Sequence, residues 1–112
     1  MISKEMIGAS TIPIILSILL EGEDYGYEII RKVKLYSGGN LEWSEPMLYP
    51  VLHRLERNNH IKASWKILEN GRKRKYYSVT TEGKTLLETK KSEWTEMITM
   101  LTKMWNLKPA VQ

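Results

Sequence analysis

The side chains that could do chemistry in this chain are mostly cationic, and they cluster in one segment. Residues 53–75 hold eight Lys or Arg and two Glu, a local charge of +6, whereas the rest of the chain carries −2 of the net +4. A basic block of this kind attracts polyanions over a Debye length of about 8–10 Å. The alternative is a solvated surface that only aids solubility, and charge alone leaves both interpretations open.

Groups that would support catalysis or metal binding are sparse. His53 and His60 have no carboxylate or Cys partners at ligand spacing, and the chain has no Cys. No phosphate loop, nucleophile elbow or paired acids occur. We therefore expect no enzyme, no metal site and no cofactor. The longest apolar run, residues 12–20, is too short to span a bilayer, so we expect a cytoplasmic protein without a membrane partner.

Apolar periodicity and helix-breaking residues divide the chain into a series of helices and one hairpin. The predicted N-caps are Thr11, Asp24, Ser44 and Thr81. The predicted elements begin with a helix that is firm at about 11–20, with a looser helical lead-in from residue 4, and a helix at 24–37. A short strand at 41–43, a helix from 44, strands at about 61–68 and 74–79 around a turn at 69–72, and a long helix over 81–107 follow.

This order predicts a fold that is mainly α with a small β-hairpin. Three helices followed by a hairpin are typical of a winged helix-turn-helix, which would occupy residues 1–80. The third helix is then placed for the major groove of DNA, and the hairpin for the flanking backbone. Residues 81–112 would form a C-terminal dimerisation helix and a short tail.

The third predicted helix has an apolar stripe and a face of mixed polar character. Leu48, Val51, Leu52 and Leu55 form the stripe, which we expect to be buried. On the other face, Arg54 has the geometry to fork to guanine. An ordinary protein surface does not explain the apolar members of that face, so we predict that it binds DNA. Its residues are Met47, Tyr49, Pro50, His53, Arg54 and Arg57.

The predicted hairpin has a cationic tip. Arg72, Lys73 and Arg74 follow one another there, and cations on an extended chain suit phosphate contacts rather than base reading. The alternative is a basic turn that serves solubility only. We predict that these three residues bind the DNA backbone.

The last predicted helix carries large apolar residues separated by 7, 4, 3 and 4 positions, a heptad-like seam. One small domain cannot cover such a face, so we predict a homodimer. Trp94 is either a packing anchor or, with its symmetry mate and with Met97 and Ile98, part of a pocket between the subunits for a planar aromatic small molecule. The predicted dimer interface consists of Leu87, Trp94, Ile98, Leu101 and Trp105.

Four motifs, in order, resemble those of the PadR-like transcriptional regulators. They are Tyr25-Gly26-Tyr27-Glu28-Ile29, Leu48-Tyr49-Pro50-Val51-Leu52-His53-Arg54-Leu55-Glu56, Gly71-Arg72-Lys73-Arg74-Lys75-Tyr76-Tyr77 and Thr81-Glu82-Gly83. The resemblance covers about residues 3–105, and the single C-terminal helix is similar to the small subgroup of the family. It implies a dimeric bacterial repressor of a pseudo-palindromic operator. Small drug-sensing members stack flat aromatic ligands on a Trp of the last helix, and Trp94 falls at the matching position.

The sequence departs from the family pattern at two places. Family members usually have a small residue and then Thr before Leu-Tyr-Pro, whereas Pro46 and Met47 stand here. A hydroxyl that could reach DNA is therefore missing. Asn59-His60-Ile61 replaces the usual Gly-Leu-Ile after the third helix, and Asn tolerates the left-handed turn that this position needs.

The function that these observations favour is sequence-specific binding of a double-stranded DNA operator by a transcriptional regulator, a repressor released by a small-molecule ligand. The alternative is a winged-helix module that binds protein through the third helix, with the basic hairpin only solubilising it. RNA binding is a weaker third possibility and would favour single strands and loops.

Overall fold

The computed structural model describes residues 1–107 and has the predicted architecture, mainly α with one hairpin. The predicted tail beyond residue 107 lies outside the described residues. Within them, no helix is long and apolar enough to cross a membrane. The elements are α1 (Lys4–Glu21), α2 (Gly26–Tyr36), α3 (Glu45–Arg57), β1 (Ile61–Ile67), β2 (Lys73–Val79) and α4 (Thr81–Met104).

In helix α1 the predicted looser lead-in before Thr11 is regular helix from Lys4 onward. Its N-cap is Ser3, whose hydroxyl accepts a hydrogen bond from the N–H of Met6 at 3.2 Å. Thr11 lies buried within the helix, and its hydroxyl donates to the carbonyl of Ile7 at 2.7 Å. The prediction that Thr11 caps the helix is therefore wrong. A hydroxyl inside a helix can bond to the carbonyl four residues back, so Thr alone does not mark a helix start.

Asp24 has a different role from the predicted N-cap of α2. The N–H of Asp24 donates to the carbonyl of Tyr77 at 3.0 Å, and the N–H of Tyr77 donates back to Asp24 at 2.8 Å. The buried Asp24 carboxylate pairs with Lys32 Nζ at 2.6 Å, a contact that raises the pKa of Lys32. Asp24 thus ties the loop before α2 to the hairpin, and the N-cap position falls to Tyr25, which makes no capping hydrogen bond.

The segment between α2 and α3 is not the predicted short strand. Residues 41–43 have no regular secondary structure, yet Leu41 and Trp43 bury their side chains in the core. The Asp24–Tyr77 bridge is the only pairing outside β1 and β2 among the described residues. Ser44 occupies the N-cap of α3 as expected, although its side chain makes no capping hydrogen bond.

Asn59 and Thr80 join the end of α3 to the start of α4. Asn59 has a φ of 61°, and the N–H of His60 donates to the carbonyl of Leu55 at 2.9 Å. This Schellman-type end confirms the left-handed turn expected at Asn59. The N-cap of α4 is Thr80 rather than Thr81: its hydroxyl accepts from the N–H of Gly83 at 3.0 Å and donates to the carbonyl of Asn59 at 2.6 Å.

One core lies between the helices and the base of the hairpin. Helix α1 packs on α4 and β2, α2 packs on α3, and α3 packs on β1. The stripe predicted on α3 is buried at three of its four positions, since Val51 is only half-buried. The fully buried large side chains are Ile15, Leu16, Leu19, Ile29, Leu48, Leu52, Leu55, Ile61, Tyr77 and Leu87.

Only the base of the hairpin is covered. Antiparallel pairing sets Ile61 opposite Val79 and Ile67 opposite Lys73. The tip closes as predicted, with Gly71 at a φ of 82° and its N–H donating to the carbonyl of Leu68 at 2.8 Å. The hairpin therefore projects from the core as a wing.

Candidate nucleic-acid interface

Helix α3 presents a cationic surface because its apolar stripe holds it against the core. Leu48, Leu52 and Leu55 are buried along one side. The side chains that leave the opposite side for solvent are Pro50, His53, Arg54 and Arg57. Four of the six residues predicted on this face are thus free to meet a ligand as large as duplex DNA.

Met47 and Tyr49 are less exposed to solvent than the other four residues. Both are partly buried and pack against the core. A Cβ atom added to Gly26 would lie 2.6 Å from Tyr49 Oη, so the ring of Tyr49 sits directly over the start of α2. Its other neighbour is His53, with ring centroids 6.4 Å apart. Met47 and Tyr49 are therefore less exposed than the helix periodicity indicates, and Gly26 is required because Tyr49 approaches it so closely.

The wing carries its three predicted phosphate-binding cations in two different settings. Arg72 and Lys73 are exposed at the tip. Arg74 is partly covered: its guanidinium lies 4.0 Å from the ring centroid of Tyr25, and its Nη1 donates to Tyr76 Oη at 3.5 Å. That hydrogen bond raises the pKa of Arg74, so the guanidinium stays charged.

The outer face of the wing is built from alternating cations and rings. The rings of Tyr25 and Tyr76 meet edge to face at a centroid distance of 5.3 Å. Lys66 Nζ lies 4.5 Å from the Tyr76 ring centroid and pairs with Glu23. These contacts attach the wing to the loop before α2. Sequence reasoning missed the role of Tyr25, because no local pattern connects it with Arg74.

The inner face of the wing is attached to α3. Lys75 Nζ lies 3.4 Å from a carboxylate oxygen of Glu56 and 5.3 Å from the ring centroid of Tyr77. The contact holds the hairpin beside the C-terminal half of α3. Together with the packing of α3 on β1, it keeps the cationic surfaces on α3 and at the wing tip on neighbouring parts of the molecule.

Comparison with known proteins assigns the chain to a family. A model of the "Transcriptional regulator PadR-like family" matches residues 15–89. The chain belongs to this family. A Lysinibacillus sphaericus protein described as uncharacterised is 35% identical over 97 residues, which cover 87% of this chain and 89% of that protein.

Two solved structures support the same conclusion. A transcriptional regulator from Clostridium thermocellum is 34% identical, with a TM-score of 0.85 over 92% of this chain and 97% of the other. A PadR-like transcriptional regulator from Bacillus cereus is 30% identical, with a TM-score of 0.80 over 94% of this chain and 100% of the other. This PadR-like chain is thus a DNA-binding transcriptional regulator with a winged-helix fold.

A cavity of about 530 Å³ lies between α1, the end of α2 and α4 of the PadR-like domain. Trp94 and Ile98 line it, with Pro13 and Ile14 of α1 opposite them, whereas the sequence predicted a pocket between two subunits. Met97 is not part of the lining. Sequence reasoning missed the α1 residues, whose apolar character is equally typical of a core.

The predicted dimer seam on α4 is only partly exposed. Leu87 is 2% exposed and belongs to the core of the protomer, so it has almost no surface left for a partner. This corrects the predicted seam at its first position. Trp94 and Leu101 are half-buried, whereas Ile98 and Trp105 are exposed.

Proposed function

We propose that the protein is a dimeric repressor that binds a pseudo-palindromic operator and is released by a planar aromatic ligand. In this proposal α3 of each protomer enters a major groove, and the wing contacts the flanking backbone. The observation that carries it is the pair of cationic surfaces on α3 and at the wing tip, which are joined by the packing of α3 on β1 and by the contact of Lys75 with Glu56.

The exposed face of α3 supports sequence reading. Arg54 and His53 stand free of intramolecular ion pairs in the described residues, so their donors are available to base edges. Arg at such a position forks to the O6 and N7 of guanine. Arg57 follows one turn later, near the end of α3, where contact with a phosphate is the expected role.

Helix α4 supports assembly into a dimer. Besides Ile98 and Trp105 it exposes Met97, Met100 and Met104, an apolar face that continues over its C-terminal half. Exposed apolar faces of this kind mark protein interfaces. Two-fold association through α4 would repeat α3 on one side of the dimer, and half-sites one helical turn apart require a separation of about 34–36 Å.

The α1–α4 cavity supports ligand-controlled release. Its volume of about 530 Å³ lies within the range of small-molecule sites, and its lining is largely apolar with Trp94 as the large ring. Because the cavity adjoins α4, a bound ligand would change the distance between the two copies of α3. The ligand can lower the affinity for DNA only as far as it binds the released form of the dimer more tightly than the DNA-binding form.

Selection of bound sequences from random duplex DNA tests the DNA-binding part of the proposal. Arg54→Ala should weaken binding to the selected operator by roughly 1–3 kcal/mol and relax specificity locally, because Ala cannot make the bidentate hydrogen bonds to a base edge. Lys103→Ala, an exposed cation at the far end of α4, is the matched control and should leave binding unchanged.

If Arg54→Ala weakens binding to selected and random duplexes equally, Arg54 contacts phosphate and does not read bases. A salt-insensitive complex with another protein, with no preference for any duplex, would instead favour the protein-interaction module.

Sedimentation tests the dimer. Trp105→Glu places a charge on the exposed seam and should convert the dimer to a folded monomer, because Trp105 lies outside the core. Lys84→Glu, at the exposed start of α4, is the control. A chain ending before Glu93 keeps Leu87 and should also be monomeric. A stable dimer after both changes would refute the assignment to α4.

A further inference from the structure

Two large apolar side chains, Trp65 and Ile67, lie exposed on the wing. Their exposed fractions are 64% and 75%. They alternate along β1, so they share a face with Ile61 and Ala63. Burial falls along that face from the buried Ile61 through the half-buried Ala63 to the two exposed residues. The hairpin therefore carries an apolar end that nothing in the described structure covers.

This apolar end lies on the α3 side of the wing. Across the hairpin, Lys75 is paired with Trp65 and Lys73 with Ile67. Lys75 bonds to Glu56 on α3, so the face it shares with Trp65 is turned toward that helix. Trp65 and Ile67 therefore lie on the face of the wing that is turned toward α3, and both are exposed there.

We propose that Trp65, with Ile67 beside it, packs into the minor groove of the operator next to the major-groove segment read by α3. The inference rests on the proposed DNA-binding function and adds a contact to it. Minor-groove proteins place apolar side chains against sugars and between base steps in this way. A Trp ring supplies a large flat surface for such a contact at small entropic cost.

Charge around the pair favours DNA over other occupants. Lys73 and Lys75 flank the two apolar residues on the same face, and the exposed Arg72 lies at the tip beyond them. Lys is depleted in the cores of protein interfaces, where its charge would have to be desolvated. A polyanion gains most from Lys73 and Arg72, because Lys75 is already paired with Glu56. The apolar pair would then face the sugars between the phosphates.

The contact predicts a gain in affinity that does not depend on salt. Phosphate contacts release counterions and steepen the log–log salt dependence, whereas an apolar contact with sugars releases none. Removal of about 60 Å² of buried apolar ring should weaken operator binding roughly tenfold. Trp65→Ala should therefore shift the binding curve without changing its salt slope.

The experiment is a titration of the selected, fluorescently labelled operator at several salt concentrations. The chains compared are the wild type, Trp65→Ala, Trp65→Phe and Leu35→Ala. Leu35 is 63% exposed on α2, away from the wing, and its replacement controls for removal of an exposed apolar side chain. Trp65→Ala should bind about tenfold more weakly at every salt concentration, Trp65→Phe should be weakened less, and Leu35→Ala should match the wild type. Thermal unfolding should be unchanged by Trp65→Ala, since the side chain lies outside the core.

Hydroxyl-radical footprinting locates the contact. Trp65→Ala should no longer protect the sugars in the minor groove flanking the α3 site and should keep protection elsewhere. Wild-type affinity in Trp65→Ala, or a flatter salt slope with no footprint change, would overturn this inference while Arg54-dependent binding kept the proposed function intact. If the wild type binds no duplex selectively, both are overturned.

Discussion

The guanidinium of Arg74 lies over the ring of Tyr25, 4.0 Å from its centroid, and this contact connects the wing to the loop before α2. Tyr76 closes the arrangement by meeting Tyr25 edge to face and accepting a hydrogen bond from Arg74. Arg74 differs in this way from Arg72 and Lys73, which make no such contact. Arg74 therefore also attaches the wing to the loop before α2.

Replacement of Arg74 should therefore loosen the wing. Arg74→Ala removes the contacts with Tyr25 and Tyr76, so backbone amides of β1 and β2 near the tip should exchange their hydrogens faster in the free protein. Arg72→Ala is the matched control, because Arg72 is exposed at the tip. Equal exchange rates in the two variants would show that the ring contact does not order the wing.

Arg72 and Lys73 should supply affinity that does not depend on sequence. Removing one cation that neutralises a phosphate should flatten the log–log salt dependence of DNA binding by about one. The double replacement by Ala should weaken selected and random duplexes alike. An unchanged salt slope would show that the wing tip does not touch the backbone, and it would leave α3 as the main source of electrostatic affinity.

Gly83 and Gly8 should respond in opposite ways to Ala. A Cβ atom on Gly83 would lie 2.0 Å from the carbonyl oxygen of His60, a group held in place by the N–H of Thr80, and 2.7 Å from Val79 Cγ2. The crowding should cost at least about 2–3 kcal/mol of unfolding free energy. Gly8 lies in α1 with nothing within 4 Å, so Gly8→Ala should stabilise by about 0.5–1 kcal/mol.

Denaturant unfolding of the two Ala variants measures these differences. A Gly83→Ala chain as stable as the wild type would mean that the α3–α4 junction can shift to accept a methyl group. The close approach of His60 would then not be what requires glycine at this position.

Features that depend on a few neighbouring residues are predictable from the sequence. Asn59 and Gly71 adopt positive φ values where an Asn after α3 and an Asn-Gly turn predict them. The exposed cations of α3 follow from the spacing of its buried Leu residues, because helical geometry fixes which side chains share a face. These local rules suffice for the order of the helices and the hairpin and for which side chains of α3 are exposed, but not for residues 41–43, where no strand forms.

Features that depend on residues distant in sequence are not predictable in this way. Asp24 has the local pattern of an N-cap. Its backbone groups instead form hydrogen bonds with the backbone of Tyr77, and its carboxylate pairs with Lys32. The spacing of Leu87 fits a dimer seam equally well, yet α1 packs on α4 and buries it. Tyr49 lies on a polar face by periodicity and is drawn inward because Gly26 leaves room for its ring.

Trp94 should decide whether the α1–α4 cavity binds planar ligands. Stacking of an aromatic ring on a planar ligand contributes about 0.5–1.5 kcal/mol per pair beyond the area buried. A cationic ligand would gain further from the ring face. Trp94→Ala should therefore weaken the binding of a planar cationic dye, followed by the dye's own fluorescence, by about two- to tenfold for each ring that stacks.

Met97→Ala is the control that distinguishes an effect on the cavity from an effect on the exposed apolar face of α4 beside it. Met97 is on the same helix but outside the cavity lining, so its replacement should leave dye affinity unchanged. Equal affinity in the wild type and in Trp94→Ala, or no binding in either, would remove Trp94 from a ligand site. Its remaining role would then be to pack against α1, where Pro13 and Ile14 already line the opposite wall.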